Sequence, residues 1–214
     1  MENDSEYYNL KGNQASDYNN EEEAIQYYKK AIELSPDTGK YYVNLGTTSD
    51  NIKQFELAEE YIKKGISIEP GDLRFHFKLA EFYWNIEKKD KSFEIYQEIL
   101  SMDSSNGKAY CGIGRIYSEM EEYDKAVESF TKSIELGYIN SDPYLNRAIV
   151  YNNNLFEYEK ALADFKKAAE LNPDDPLIPV LMVAPAANLK DQKLFDEQCK
   201  KADEAIEKLD CRGN

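Results

Sequence analysis

The chain has 214 residues, of which 42% are hydrophobic and 13% aromatic, so it can bury a substantial core and lacks the composition of a disordered protein. Its 41 acidic and 26 basic residues give a net charge of −15. That charge argues against nucleic acid and against an anionic membrane surface as partners.

Taken from the amino terminus, the chain divides into helix pairs. Residues 5–17 and 22–34 have the apolar spacing of two helices, joined by a short polar turn. A second pair lies within residues 39–72. In that pair, Gly46 and Ala58 stand where two helix backbones must approach closely.

Small and aromatic residues recur along the chain with a constant 34-residue period. The small position holds Gly12, Gly46, Ala80, Gly114 and Ala148, and the aromatic position holds Tyr8, Tyr42, His76, Tyr110 and Tyr144. A helix pair cannot cover its apolar face alone, so a fixed period of this size predicts a solenoid of stacked pairs.

The pattern changes in the fifth pair. Ala148 and Ala161 are 13 residues apart, whereas Gly114 and Ala126 are 12 apart, which predicts a one-residue insertion in the turn at residues 152–154.

After residue 176 the repeat degrades. Residues 177–188 are expected to form a helix bent by its prolines, and 191–209 an amphipathic helix. The apolar side of the second helix can cover the last repeat while its polar side meets water, so we expect a terminal cap. A docking helix for a partner is the alternative.

The spacing resembles that of the tetratricopeptide repeat (TPR) family, whose 34-residue unit is a helix–turn–helix. In the fourth unit the resemblance is carried by Tyr110, Gly114, Tyr117, Ala126 and Phe130. It implies an all-α fold, a right-handed α-solenoid of antiparallel helix pairs. We expect one TPR domain over residues 1–214, with repeats at 5–38, 39–72, 73–106, 107–140 and 141–175, and a degenerate sixth pair or cap at 176–214.

The sequence offers little support for catalysis. The single histidine, His76, occupies a packing position, and the three cysteines (Cys111, Cys199 and Cys211) are scattered without metal-ligand spacing. We therefore predict a non-enzyme without cofactor or metal. The acidic amino terminus lacks the regions of a signal peptide, and no apolar run is long enough for a bilayer, so we expect a cytoplasmic location unless a leader was removed.

Basic residues concentrate on the first helices of the second, third and fourth pairs, on the side away from the packing stripe. They are Lys40, Arg74, Lys78, Lys108 and Arg115. The TPR resemblance implies that first helices line a concave groove, and a basic groove would attract an acidic or extended peptide segment. The predicted peptide-binding residues are Asn13, Lys40, Asn44, Arg74, Phe77, Lys78, Trp84, Lys108 and Arg115, with Phe77 and Trp84 as apolar anchors if they are exposed.

A finer resemblance concerns TPR co-chaperones that hold the C-terminal carboxylate of heat-shock chaperone tails. Asn13, Asn44, Arg74 and Lys78 occupy four of the five places of that carboxylate clamp, with arginine and lysine exchanged, and Asn9 replaces the lysine of the fifth. Three functions remain open: a protein–protein scaffold or adaptor, a co-chaperone of this kind, and a regulatory or assembly subunit of a larger complex.

Overall fold

The computed structural model describes the backbone of residues 2–212 and the side chains of residues 4–207. Within that range the secondary structure is helical, without strands. The chain forms two compact units, which are divided between Ser104 and Ser105. The prediction of one continuous domain stays a prediction, and the two units are described separately below.

Unit 1 is an α-solenoid of three antiparallel helix pairs. Its helices are α1 (Glu2–Asp17), α2 (Glu21–Leu34), α3 (Gly39–Asn51), α4 (Phe55–Ile68), α5 (Leu73–Asn85) and α6 (Lys89–Met102). Each helix packs against the next one along the chain, and the first helices α1, α3 and α5 also contact one another in that order. The predicted first pair agrees with α1 and α2 to within three residues at each end.

The small residues sit at the closest approach of paired helices, as the repeat pattern predicts. Gly46 of α3 faces α4 so closely that a Cβ atom there would lie 3.0 Å from the carbonyl oxygen of Ala58. Ala58 itself is fully buried. The small residue is therefore required by backbone packing at Gly46, whereas a Cβ atom at Gly12 or Gly114 would meet the ring of Tyr28 or Phe130.

In each helix pair, the turn between the two helices contains one residue with a left-handed backbone. These residues are Asn19, Lys53, Glu87, Glu121, Phe156 and Lys190, with φ between 56° and 62°. They keep the 34-residue period seen in the sequence, except that one extra residue separates Glu121 from Phe156. Since Lys190 keeps the period, the segment after residue 176 retains the turn of a sixth pair.

Unit 2 continues the same pattern of helix pairs. Its helices are α7 (Gly107–Glu119), α8 (Tyr123–Glu135), α9 (Asp142–Val150), α10 (Tyr158–Leu171), α11 (Leu177–Leu181), α12 (Val183–Asn188) and α13 (Gln192–Arg212). A π-helical segment, Tyr151–Leu155, extends α9. The fifth pair does contain one extra residue, as predicted, but the residue lies in a helix and not in the turn. A π-helical segment has one more residue per hydrogen-bonded turn than an α-helix, so it accommodates the insertion.

The bent helix predicted at residues 177–188 is broken into α11 and α12 at Met182. Pro185 has no N–H to donate to the carbonyl of Leu181, four residues earlier, so the helical ladder is interrupted there. Helix α13 packs against both short helices, with Gln198 and Ala202 buried. The role of this segment as a terminal cap stays a prediction, and the side chains of Leu209 and Cys211 lie outside the described residues.

Among the described residues, no helix combines the length and the apolar character needed to cross a bilayer.

Candidate peptide-binding site

A cavity of about 400 Å³ opens on the first helices of unit 1. It is lined by side chains of α1, α3 and α5, with Tyr28 of α2 among them. The structure brings five of the predicted peptide-binding residues to it: Asn13, Lys40, Asn44, Arg74 and Lys78. These five side chains therefore share one cavity on the first helices of unit 1, and their role in binding stays a prediction.

Three asparagines form a hydrogen-bonded network on one wall of the cavity. The Nδ2 amide of Asn44 donates to Oδ1 of Asn9 at 2.8 Å and to Oδ1 of Asn13 at 3.3 Å. The hydroxyl of Tyr28 donates to the same Oδ1 of Asn13 at 2.8 Å. With both donors on its oxygen, Asn13 keeps its Nδ2 amide without a partner among the described residues.

Tyr28 sets this orientation from the core. Its side chain is 3% exposed, and burial raises the pKa of its hydroxyl to about 12. The hydroxyl is thus protonated, and a donor, at any physiological pH. An asparagine whose oxygen is held by such a donor presents its N–H groups to an incoming oxygen ligand.

Each of the three cations lining the cavity has an acidic partner. Lys40 Nζ lies 2.6 Å from Glu6, Arg74 pairs with Asp72 at 2.5 Å, and Lys78 Nζ lies 3.2 Å from Glu81.

The cations stay accessible in these pairs. The exposed fraction of the side chain is 43% for Lys40, 83% for Arg74 and 50% for Lys78. Exposed pairs stabilise a fold only weakly. A ligand carboxylate can therefore compete with the present partners.

The pairs also keep the acidic groups ionised. The hydrogen bond from Lys40 lowers the pKa of Glu6, and the guanidinium of Arg74 lowers the pKa of Asp72. Asp72 also caps α5 by accepting the backbone N–H of Arg74 at 2.9 Å. It would remain hydrogen-bonded if the guanidinium turned to a ligand.

The two predicted apolar anchors differ in exposure. Phe77 is only 8% exposed and packs edge-to-face on Tyr96, with 6.2 Å between the ring centroids. It does not meet the condition of exposure, because α5 is buried on more than one side and not along a single stripe. Trp84 is half-buried, with Lys89 Nζ 5.8 Å from its ring.

Lys108 and Arg115 belong to α7 in unit 2, where both side chains are exposed. Cys111 lies between them in sequence and is buried, and burial raises the pKa of its thiol to about 12. It is therefore a protonated packing residue. A peptide-binding role for Lys108 and Arg115 stays a prediction.

Glu6 and Tyr28 are among the cavity residues that the sequence did not predict. Glu6 carries a signal, because it lies one 34-residue period before Lys40 and so occupies the same repeat position. Tyr28 was assigned only to the packing pattern, and its hydrogen bond to Asn13 needs coordinates to be seen.

No group of three or more potential metal-ligating side chains occurs in the described part of the chain. The single histidine, His76, is buried, with Nδ1 3.2 Å from the carbonyl oxygen of Asp72. Its environment agrees with the packing role that the repeat position predicts.

Several solved structures share this architecture. PilF from Pseudomonas aeruginosa aligns over 92% of this chain and 89% of its own, with a TM-score of 0.77 and 17% identity. A MamA protein aligns over 83% and 95%, with a TM-score of 0.63 and 21% identity. YrrB, described as a TPR protein with an unusual peptide-binding site, aligns over 80% and 88%, with a TM-score of 0.56 and 21% identity.

No curated protein matches the sequence significantly. The family profiles named Tetratricopeptide repeat, in contrast, match residues 5–38, 39–72, 73–106, 107–136 and 141–175, which is most of the chain. The five units proposed from the 34-residue spacing are these matches, apart from four residues at the end of the fourth. The chain belongs to the tetratricopeptide repeat family.

Proposed function

We propose that this protein is a non-catalytic adaptor that holds an acidic peptide segment in the cavity of α1, α3 and α5. Arg74 and Lys78 pair with carboxylates of the ligand, and the amides of Asn13 and Asn44 donate hydrogen bonds to it. The observation that carries the proposal is the convergence of three cations and an asparagine network on one cavity, in a chain whose net charge is −15.

The cost of admitting a ligand is small because the three cations are themselves exposed in their present pairs. Exposed ion pairs are worth about 0–1 kcal/mol, so exchanging one acidic partner for another is nearly neutral. The gain comes from new hydrogen bonds, above all those of the Asn13 amide, which has no partner among the described residues. Charge-assisted bonds of this kind are shorter and stronger than neutral ones.

The fold supports the same class of function. TPR solenoids present extended surfaces to partners, and one protein with this architecture, YrrB, is described by its peptide-binding site. For this chain the partner, whether a scaffolded protein or a neighbouring subunit of a complex, is defined by its chemistry as an acidic segment.

A second candidate function is capture of a free C-terminal carboxylate, as in TPR co-chaperones. The observation in its favour is that Asn13, Asn44, Arg74 and Lys78, the four residues at clamp places, line the same cavity. The two candidates differ in one requirement. A peptide with an amidated C-terminus is retained by an acidic-segment adaptor and lost by a carboxylate clamp.

The test is calorimetric titration of acidic peptides, each with a free and an amidated C-terminus, into the protein and into Arg74→Glu and Lys78→Glu variants. We expect each charge reversal to weaken binding at least tenfold. Lys64→Glu is the matched control, since Lys64 is exposed on α4 of the same unit and does not line the cavity. Equal binding by all three variants and the parent protein would show that the cavity is not the binding site.

A further inference from the structure

One wall of the cavity carries an acid where the next three repeats carry a base. Glu6, Lys40, Arg74 and Lys108 follow one another at the 34-residue period, so they occupy the same position of four successive repeats. The fifth repeat has Asp142 there, as the first residue of α9, where the helix dipole favours an acid. Glu6 has no such place at a helix start, and its side chain lines the cavity beside Lys40, Arg74 and Lys78.

The Glu6 carboxylate is held by three donors. Its Oε2 accepts from Lys40 Nζ at 2.6 Å and from the hydroxyl of Tyr41 at 3.1 Å, and its Oε1 accepts from Nδ2 of Asn9 at 3.4 Å. Tyr41 is 3% exposed, and its hydroxyl lies 3.1 Å from Oγ of Ser5, which is also buried. The carboxylate is therefore fixed by hydrogen bonds to buried residues as well as by its ion pair with Lys40.

Glu6 lies inside the cavity, unlike the acids that pair with the other two cations. Asp72 and Glu81 do not line the cavity. If Arg74 or Lys78 turned to a ligand, no second negative charge would be left inside. If Lys40 did so, Glu6 would remain in the cavity next to the ligand carboxylate, and like charges at short distance repel.

We propose that Glu6 is a built-in competitor for Lys40, so that the cavity accepts one ligand carboxylate, at Arg74 and Lys78, and disfavours a second one at Lys40. The inference rests on the proposed function, because it concerns the same cavity and the same class of ligand. It adds a rule of selectivity: the preferred acidic segment presents a single carboxylate group at this point, not two adjacent ones.

The experiment compares two peptides that differ only in the last residue. Both have a free C-terminal carboxylate, but one ends in asparagine and brings one carboxylate group, and the other ends in aspartate and brings two. Calorimetry measures the dissociation constant of each peptide for the parent protein and for Glu6→Gln. The substitution keeps an oxygen acceptor for Tyr41 and removes the charge, and it loses only the acceptor of the long Asn9 hydrogen bond at 3.4 Å.

We expect Glu6→Gln to tighten binding of the aspartate peptide by roughly three- to fivefold and to leave the asparagine peptide nearly unchanged, on the scale of partly exposed charge pairs. In the double variant Glu6→Gln/Lys40→Met the tighter binding of the aspartate peptide should vanish, because the Lys40 cation that would bind the second carboxylate is absent. Glu170→Gln, which removes the partner of Lys167 at 2.7 Å, is the control for the change in net charge and should alter neither peptide.

Each outcome decides the matter. An equal gain for both peptides, or no gain for either, overturns the role of Glu6 while the adaptor function stands, provided that Arg74→Glu still weakens both peptides. Failure of the parent protein and of Glu6→Gln to bind any acidic peptide overturns the function and the selectivity rule together. If thermal unfolding shows that Glu6→Gln is not folded, Glu6→Ser must give the same selective gain or the proposal fails.

Discussion

The close approach of α3 and α4 predicts that Gly46→Ala destabilises the protein although alanine is the better helix former. A Cβ atom at position 46 would lie 2.7 Å from Cγ1 of Ile62, 3.0 Å from the backbone nitrogen of Ile62 and 3.0 Å from the carbonyl oxygen of Ala58. Two of these three atoms belong to the backbone, so a rotamer change cannot relieve the clash. The helices themselves must separate.

The magnitude follows from two opposing effects. Overpacking a tight core costs about 1–3 kcal/mol, and because backbone atoms are involved here we take the upper part of that range, about 2–3 kcal/mol. Replacing a helical glycine by alanine returns about 1 kcal/mol. We expect a net loss of about 1–2 kcal/mol. For a chain of this length that corresponds to a fall of about 2–8 °C in the unfolding midpoint.

The assay is thermal and urea unfolding followed by circular dichroism, with Gly71→Ala as the control. A Cβ atom at Gly71 meets nothing within 4 Å. That variant should stay within about 0.5 kcal/mol of the parent protein. If Gly46→Ala is as stable as Gly71→Ala, the explanation of Gly46 as a backbone contact between α3 and α4 is refuted.

Three further predictions concern stability. The hydrogen bond from Lys63 lowers the pKa of Glu59 from 4.5 to about 2. Glu59 therefore stabilises the fold fully above pH 4.5 and less as the pH falls toward 2. The difference in unfolding midpoint between the parent protein and Glu59→Gln should shrink to zero over that pH range, and a constant difference would contradict this prediction. Asp164→Ala leaves the half-buried guanidinium of Arg147 without its bidentate partner at 2.7 and 2.8 Å, and should cost roughly 3–5 kcal/mol in urea unfolding, whereas a loss below about 1 kcal/mol would contradict the geometry. Deletion of the exposed Asn153 removes the extra residue of the π-helical segment and should leave the midpoint equal or higher, while loss of folding would show that the segment is required.

The helix pairs could be predicted from the sequence because their signal is repeated. Apolar residues at helical spacing and small residues at contact points recur in unit after unit, and the bounds of α1 and α2 follow to within a few residues. The left-handed turn residues could not be predicted from residue type. Lys53, Glu87 and Glu121 are not glycines, and only their place in the 34-residue period marks them.

The extra residue of the fifth repeat shows what the spacing of residues in the sequence cannot determine. The interval between Ala148 and Ala161 reveals that a residue has been added, but a longer turn and a wider helix satisfy the same count. The chain uses the wider helix, with a π-helical segment at residues 151–155. Hydrogen-bond geometry, which no sequence interval contains, decides between them.

The cavity was predictable in part. Asn13, Asn44, Arg74 and Lys78 follow from repeat position, because equivalent positions on successive first helices face the same side. Phe77 failed the condition of exposure because the prediction assumed one buried stripe on a helix that is buried more widely. Glu6 and Tyr28 act through long side chains that reach a neighbouring helix, and such contacts emerge only when the helices are placed.

The most direct test of the central claim is a nuclear magnetic resonance titration that follows the side-chain amide signals of Asn13 and Asn44 as an acidic peptide is added. These amides are reporters inside the cavity, and that of Asn13 has no acceptor among the described residues. The account predicts that both signals shift and saturate with the affinity found by calorimetry, and that the shifts disappear in Arg74→Glu. A peptide that binds while both signals remain unmoved would contradict it.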